Sequence, residues 1–335
     1  MLRVLHVICD LAGGGAERLV LDLCRFHGPD VAPSVMTVHP GGALTAAFAE
    51  AGVQTRSAGR WRRGPGGLAL ARLVAAARAS DVVHTHLWAG DTWGGLAAIL
   101  AGVPWVRTEH NTDADGPFRA RITALQARAA VLEVCVSQAA ARRVPGARVI
   151  YNGVDLSRFR ARAPRDQAPR RVLGLGRLTR QKGFDVLCEA ARRAQLSVDL
   201  VGEGEEAEAL AAAGATLRGW TPDVAGALAE ADLVAIPSRW EGFGLVAVEA
   251  MASGVPVVAS EVPGLSEVVG DAGLLVPPDD ASALAEALCR LAADGALRAR
   301  LVAAGLARSR RFDVRATAAA YESAYAEVAT GGRGV

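Results

Sequence analysis

The chain has 335 residues, 51% of them apolar, with 37 basic against 35 acidic side chains and a formal charge of +2. That length suits two domains of roughly 150 residues each. The charge balance argues against a protein built mainly to hold nucleic acid. The apolar residues fall in short runs, none reaching the ~18 that a membrane span needs.

The N-terminus meets Asp10 before an apolar segment of signal-peptide length can form, which speaks against secretion. The five cysteines (Cys9, Cys24, Cys135, Cys188, Cys289) are widely spaced with no C-x-x-C pair, so they read as buried thiols in a reducing cytoplasm rather than as zinc ligands or a redox dithiol.

Short β-branched runs alternate with Ala/Leu/Arg-rich stretches about ten residues long, the rhythm of repeated β-α units around a parallel sheet. In the first half, strands are predicted near Arg3 to Cys9, Pro33 to His39, Val53 to Ser57, Asp81 to His86, Trp105 to Glu109, Leu132 to Ser137 and Arg148 to Asn152. The rhythm restarts with strands near Arg171 to Leu175, Ser197 to Val201, Thr216 to Gly219, Leu233 to Pro237, Val255 to Ala259 and Leu274 to Val276. Between them, residues 158–170 carry Pro164 and Pro169 and have a linker's composition. The expected organisation is α/β: a Rossmann-like domain over residues 1–157, the linker, and a second such domain over residues 171–310. A final amphipathic helix in residues 311–335, with Tyr321 and Tyr325, is expected to pack back on the first domain. Two doubly wound domains would leave a cleft at the carboxyl ends of both sheets, so the informative loops are those that follow strands.

The most informative is Glu241-Gly-Phe-Gly-Leu-Val-Ala-Val-Glu249 after the strand Leu233 to Pro237. Gly242 and Gly244 permit close approach, and Leu245 to Ser253 is good helix, so free backbone N–H groups near Phe243 to Val246 would attract an anion. Glu249 lies about five residues into that helix, roughly 7 Å from its start, a separation that fits a phosphate and the ribose next to it. A carboxylate among Val248, Ala250 and Met251 needs hydrogen bonds, which ribose hydroxyls would supply. Glu241, on the loop, could reach a sugar. The alternative is a pair of solvated glutamates.

The strand Arg171 to Leu175 runs into Gly176-Arg177-Leu178-Thr179-Arg180-Gln181-Lys182-Gly183. Arg177 and Lys182 can converge on one diphosphate, the first by a fork and the second as a point charge. It is not a P-loop, because Gly183 stands where Ser or Thr would follow the lysine. A solvated basic loop is the alternative. Near the N-terminus, Gly13-Gly14-Gly15 ahead of a helix beginning near Arg18 would let backbone N–H groups approach phosphates. His110 follows the strand Trp105 to Glu109 and is placed for sugar or acceptor hydroxyls. His84 and His86 share one face of their strand, read as one structural and one cleft-lining residue. Asp113-Ala114-Asp115 formally matches an Asp-x-Asp metal signature but reads as loop.

Together, Gly13 to Glu17, His110, Asn152-Gly-Val-Asp155, Gly176-Arg-Leu with Lys182-Gly, Val201-Gly-Glu-Gly204, Pro237-Ser238, Glu241 to Glu249 and Gly254 to Ser260 resemble family 4 of the retaining glycosyltransferases, glycosyl transferases group 1, with the GT-B fold. The resemblance covers nearly the whole chain. It implies an enzyme transferring a hexose or N-acetylhexosamine from a nucleotide-diphosphate sugar, UDP favoured over GDP, to a hydroxyl on a glycan, lipid-linked glycan or natural product; the high Ala, Arg and Gly content suggests a GC-rich bacterial source. The resemblance implies Arg177 and Lys182 on the diphosphate, Glu249 on the ribose, and Glu241 with backbone at Gly242, Phe243, Gly244 and Leu245 on the transferred sugar. Gly14 and Gly15 would close over the phosphates, Gly176 would belong to the donor site, His110 would touch the sugar, and the base would lie between Val201 to Gly204, with Gly202 and Glu203 among them, and Arg218 to Pro222. Neither metal nor cofactor is implied beyond the nucleotide sugar. No side chain is an evident nucleophile, so the resemblance implies front-face attack with the departing phosphate accepting the proton. One departure is Pro263-Gly264, where relatives often carry Gly-Gly. A GT-B epimerase, a glycan phosphorylase and a non-catalytic carbohydrate-binding protein are the competing readings. Arg60-Trp61-Arg62-Arg63 joins basic charge to an aromatic, a mix suited to anionic lipid at the inner face of a membrane or, equally, to an exposed loop.

Overall fold

The structure is a computed structural model, and it describes residues 1–59, 67–110, 117–161 and 167–331. The Arg60–Arg63 run, the Asp113–Asp115 pair and Pro164 lie outside those residues. The chain divides into two compact units: Met1–Gly153 with Val314–Val335, and Val154–Asp313.

In chain order the first unit contains β1 (Leu2–Ile8), α1 (Gly15–Phe26), β2 (Val31–Thr37), α2 (Thr45–Glu50), β3 (Thr55–Ser57), α3 (Gly67–Arg78), β4 (Val82–His86) and α4 (Leu87–Ala101). There follow β5 (Trp105–Glu109), α5 (Pro117–Ala129), β6 (Leu132–Cys135), α6 (Gln138–Ala141) and β7 (Arg148–Val149). The second unit contains β8 (Arg171–Leu175), α7 (Phe184–Arg193), β9 (Ser197–Val201), α8 (Ala207–Ala212), β10 (Thr216–Leu217), α9 (Val224–Glu230), β11 (Leu233–Ile236) and α10 (Leu245–Ala252). It continues with β12 (Val257–Ser260), α11 (Pro263–Val269), β13 (Leu274–Val276), α12 (Ala281–Ala293) and α13 (Gly295–Ser309); α14 (Val314–Gly331) returns to the first unit.

Each unit is built on one parallel sheet. Among the described residues, the first has seven strands in the order β3-β2-β1-β4-β5-β6-β7, and the second has six in the order β10-β9-β8-β11-β12-β13. The central strands are rich in apolar residues because helices cover both faces, though β4 and β5 also carry buried His, Thr and Arg. Alternation along each strand serves two cores. Val4, Val82 and Val106 face α1 and α14, where they meet Leu19, Leu23, Tyr321 and Tyr325. Their neighbours Leu5, Val83 and Trp105 face the opposite side with Leu73 of α3. In the second unit α7 turns Phe184, Leu187, Cys188 and Ala191 onto the sheet and its arginines outward.

Helix starts use the expected chemistry. Asp280 accepts from the N–H groups of Ser282 and Ala283 at the start of α12, and Asp294 accepts from Leu297 at the start of α13. The strand order reverses between β1 and β4 in the first unit and between β8 and β11 in the second. Doubly wound sheets bind ligands outside the carboxyl ends of the strands at such reversals.

Candidate functional site

In the second unit, the loops leaving β8 and β11 come together at the reversal. Lys182 Nζ donates to Glu241 Oε2 at 2.9 Å, with the two side chains 17% and 14% exposed. Arg239 N donates to Gln181 O at 2.8 Å, and Gln181 Nε2 donates to Trp240 O at 3.1 Å, so the two loops are also stitched through backbone. Arg177 is exposed and forms no ion pair with a described residue. α10 then begins at Leu245 behind Gly244, whose φ of +96° favours glycine and which supplies no side-chain cap. Glu249 is half-buried on the second turn of α10. Phe243 turns inward and stacks edge-on against Phe312 with ring centroids 5.4 Å apart. Its side chain therefore anchors the loop, and what it can offer a ligand is backbone.

Two glycines fix how closely these loops pack. A Cβ on Gly202 would lie 1.9 Å from Gly176 O, so only glycine lets the loops after β8 and β9 touch. A Cβ on Gly264 would lie 2.4 Å from the carbonyl oxygens of both Glu241 and Gly242. Gly264 is the second residue of α11, with Pro263 occupying the first position, where the missing N–H costs nothing. The Pro-Gly pair thus places a helix start directly against the Glu241 loop. The segments expected to flank a base are bonded to each other: Gly202 N donates to Gly219 O at 2.9 Å, and Arg218 N donates to Leu200 O at 2.9 Å. Glu203 is exposed beside them, and its carbonyl accepts from Leu178 N at 2.8 Å.

In the first unit, α1 begins at Gly15, three residues before the expected Arg18. Gly14 is its N-cap, and a Cβ there would lie 2.6 Å from Glu17 Oε2. A buried carboxylate from the first turn therefore lies against the helix start, where the dipole favours it. Gly15 is exposed.

His110 is half-buried at the carboxyl end of β5, and its Nε2 lies 3.2 Å from His86 Nδ1. His84 and His86 are both fully buried, which corrects the expectation that one of them lines a cleft. The cause is register. His6 pairs with His84 across β1 and β4, and His86 with Thr108 across β4 and β5, so all lie on the face covered by α14. Tyr325 OH is 2.6 Å from His84 Nδ1, and His84 Nε2 is 2.7 Å from Thr108 Oγ1, itself 3.0 Å from Tyr321 OH. Burial holds these imidazoles neutral, lowering His6 to about 3 and His110 to about 4 and keeping His84 and His86 well below the usual histidine range.

Two arrangements have no local sequence signal. One is the Lys182–Glu241 pair, whose members are 59 residues apart. The other surrounds buried Arg107, which donates to Asp91 Oδ2 at 2.9 Å, to Glu109 Oε2 at 2.6 Å and to Glu133 Oε1. Three carboxyl groups share one guanidinium. Burial raises Asp91 to about 6 and Glu133 to about 8 against the pull of Arg107.

Residues 13–158 match the family model described as Glycosyltransferase Family 4, and residues 169–294 match Glycosyl transferases group 1. A D-inositol 3-phosphate glycosyltransferase of Xylanimonas cellulosilytica is 36% identical over 300 residues, covering 74% of this chain and 72% of that protein. A Bacillus subtilis glycosyltransferase named for teichuronic acid biosynthesis is 34% identical over 238 residues, which span 63% of this chain and 61% of that one. Among solved structures, HepE of Anabaena in complex with UDP and glucose superposes with a TM-score of 0.86 at 24% identity, over 98% of this chain and 100% of that one. The fold of the chain is accordingly GT-B, two Rossmann-like parallel-sheet domains.

Proposed function

The chain belongs to the family of group 1 glycosyl transferases, and from that premise we propose a retaining hexosyl- or N-acetylhexosaminyltransferase that uses a nucleotide-diphosphate sugar and needs no metal. The observation that carries this reading is the Lys182–Glu241 pair held against the starts of α10 and α11 at the sheet reversal. It sets a cation, a carboxylate and helix-start N–H groups at one place, the set of partners that a sugar diphosphate demands.

In this reading Arg177 and Lys182 bear the diphosphate, with backbone at Gly176 and Gly202 beside it, and Glu249 takes the ribose hydroxyls. Glu241 and backbone at Gly242, Phe243, Gly244 and Leu245 position the transferred sugar. Glu203 marks the edge where the base rests. In the first unit, Gly14 and Gly15 contact phosphate and His110 a sugar hydroxyl. The anomeric C–O bond to phosphate breaks, the acceptor oxygen bonds to the same carbon from the same face, and the acceptor's proton passes to the departing phosphate. Two cations and helix starts supply the positive charge that a metal otherwise would.

We place UDP ahead of GDP as the nucleotide to be tested first; the HepE complex holds UDP, and its likeness to this chain carries the fold rather than the choice of base. The relatives are named for inositol phosphate and teichuronic acid, and we infer a hydroxyl acceptor on a glycan, a lipid-linked glycan or a small natural product. Among the described residues no helix is long and apolar enough to cross a membrane. We place the enzyme in the cytoplasm. Contact with an inner membrane face through Arg60, Trp61, Arg62 and Arg63 rests on their composition alone, and sedimentation with anionic vesicles, with and without Arg62→Ala and Arg63→Ala, decides it.

A thermal-shift panel of nucleotide diphosphates and nucleotide sugars tests the donor class, since a ligand stabilises the fold that binds it. Transfer assays then follow Arg177→Ala, Lys182→Ala and Glu241→Ala. Loss of turnover with an intact fold is expected in each; near-normal rates in all three would overturn the donor assignment. An assay lacking acceptor separates transfer from epimerisation, and one supplying inorganic phosphate separates it from phosphorolysis.

A further inference from the structure

Behind His110 lies a row of imidazoles that the proposed donor contacts do not use. His110 Nε2 is 3.2 Å from His86 Nδ1, and His86 Nε2 is 3.1 Å from His6 Nδ1. His6 and His86 are fully buried. Each such N···N contact is a hydrogen bond only if one ring donates and the other accepts, and a neutral imidazole has one N–H and one lone pair. The row therefore has a direction. Either every ring passes its proton outward from His6 to His110, or every ring passes it inward.

The inner end selects between them. Nε2 of His6 is buried and has no hydrogen-bond partner among the described residues. The inward direction would place an N–H there. The outward direction leaves only a lone pair, the lesser cost by analogy with backbone groups, in which an orphaned buried N–H is rarer than an under-satisfied carbonyl. Leu87, directly after His86, has a φ of +62°, a left-handed conformation that non-glycine residues rarely adopt.

We propose that His6 and His86 are positioning residues that hold His110 as the Nδ1–H tautomer, so that His110 meets substrate as a neutral hydrogen-bond donor while its one lone pair, on Nε2, is engaged by His86 and turned away from substrate. This rests on the transferase reading only for what His110 donates to. Within that reading it removes His110 as general base and leaves the departing phosphate as the acceptor of the proton. His6, His84 and His86 also bring one ring nitrogen each within 4.8 Å of one another, a spacing a metal ion could use. Both nitrogens of His84 already have hydroxyl partners at 2.6 and 2.7 Å, and His6 Nδ1 and both nitrogens of His86 are taken up by the row, which leaves only His6 Nε2 open.

Long-range proton–nitrogen spectra of the full chain, labelled at histidine and free of substrate, read each tautomer directly, so the outcome is independent of whether transfer is ever observed. Nδ1–H is expected at His6, His86 and His110, unchanged on adding zinc. Nε2–H at His110, or a zinc-dependent change at the three buried rings, overturns the proposal. Two variants add a kinetic readout. In His86→Asn an amide can still donate to His110 Nε2, and turnover within about tenfold of the parent is expected. His86→Phe cannot, and a loss of about 100-fold in kcat with little change in donor KM is expected, the scale of a misdirected hydrogen bond at a reacting centre. Equal loss in both variants would reduce His86 to a packing residue, and should His86→Phe fail to fold, the tautomer of the parent chain still decides.

Discussion

Lys182 and Glu241 neutralise each other at 2.9 Å, although they stand on loops after two different strands. A donor that uses both must divide them, the cation to phosphate and the carboxylate to sugar hydroxyls. Lys182→Ala is expected to lose both turnover, by about 100-fold or more, and the thermal shift given by a nucleoside diphosphate. Glu241→Ala should lose turnover to a similar extent yet keep that shift, because the diphosphate lacks the sugar that Glu241 holds. The reverse pattern would exchange the two roles.

Gly264 lies against the carbonyls of Glu241 and Gly242 with no room for a methyl group. Gly264→Ala must push the loop outward, and strain of this kind costs ~1–3 kcal/mol in a packed region. A drop of at least tenfold in kcat/KM with circular dichroism unchanged is the expected result. Parent-like kinetics would mean that the loop's position is not critical.

The Arg107 cluster predicts an alkaline weakness. Burial raises Glu133 to about 8 from an ordinary carboxyl value, so the folded state keeps a proton that the unfolded chain has released. Between roughly pH 4.5 and 8 the unfolded state binds fewer protons, and stability from this group falls as pH rises. Urea midpoints measured from pH 6.5 to 8.5 should decline in the parent chain, and Glu133→Gln, which keeps a neutral hydrogen-bonding group, should flatten the decline. An unchanged slope in that variant would place the proton elsewhere.

The buried histidines predict the opposite limb. His6 is lowered to about 3, chiefly by burial, so it stays neutral in the fold while the unfolded chain protonates it near 6.5. Its stabilising effect is complete above that value and is lost as pH falls, by about 1.4 kcal/mol per pH unit for one ring. Denaturation midpoints between pH 6.5 and 5 should fall steeply, and His6→Phe should make the fall shallower by about one proton. Equal slopes in parent and variant would show that His6 is not held neutral.

Much of the fold was legible in the sequence. Among the described residues, the thirteen strands lie close to where the β-branched runs place them, several with the same limits, because strands covered by helices on both faces are rich in apolar residues. The Gly-rich loops and the helix from Leu245 were legible for the same local reason: glycine and helix propensity act over a few residues. The family resemblance, too, rests on motifs in chain order, and the matching models span those motifs.

What the tertiary structure decided is which distant residues meet. Alternation put His84 and His86 on one face of β4, but only the register of β1 and β5 against it made that face a buried cluster with His6 and His110. Only the packing of α14 supplied the tyrosine hydroxyls that complete it. Lys182 and Glu241 each read as a ligand for substrate, and the loop crossing revealed them as partners of each other. Gly264, a departure from the family pattern by sequence, is the contact that brings α11 onto the Glu241 loop. Propensity and periodicity are properties of short windows and survive in the sequence; close approach and charge pairing depend on distances between loops, which exist only once the sheet has set its strand order.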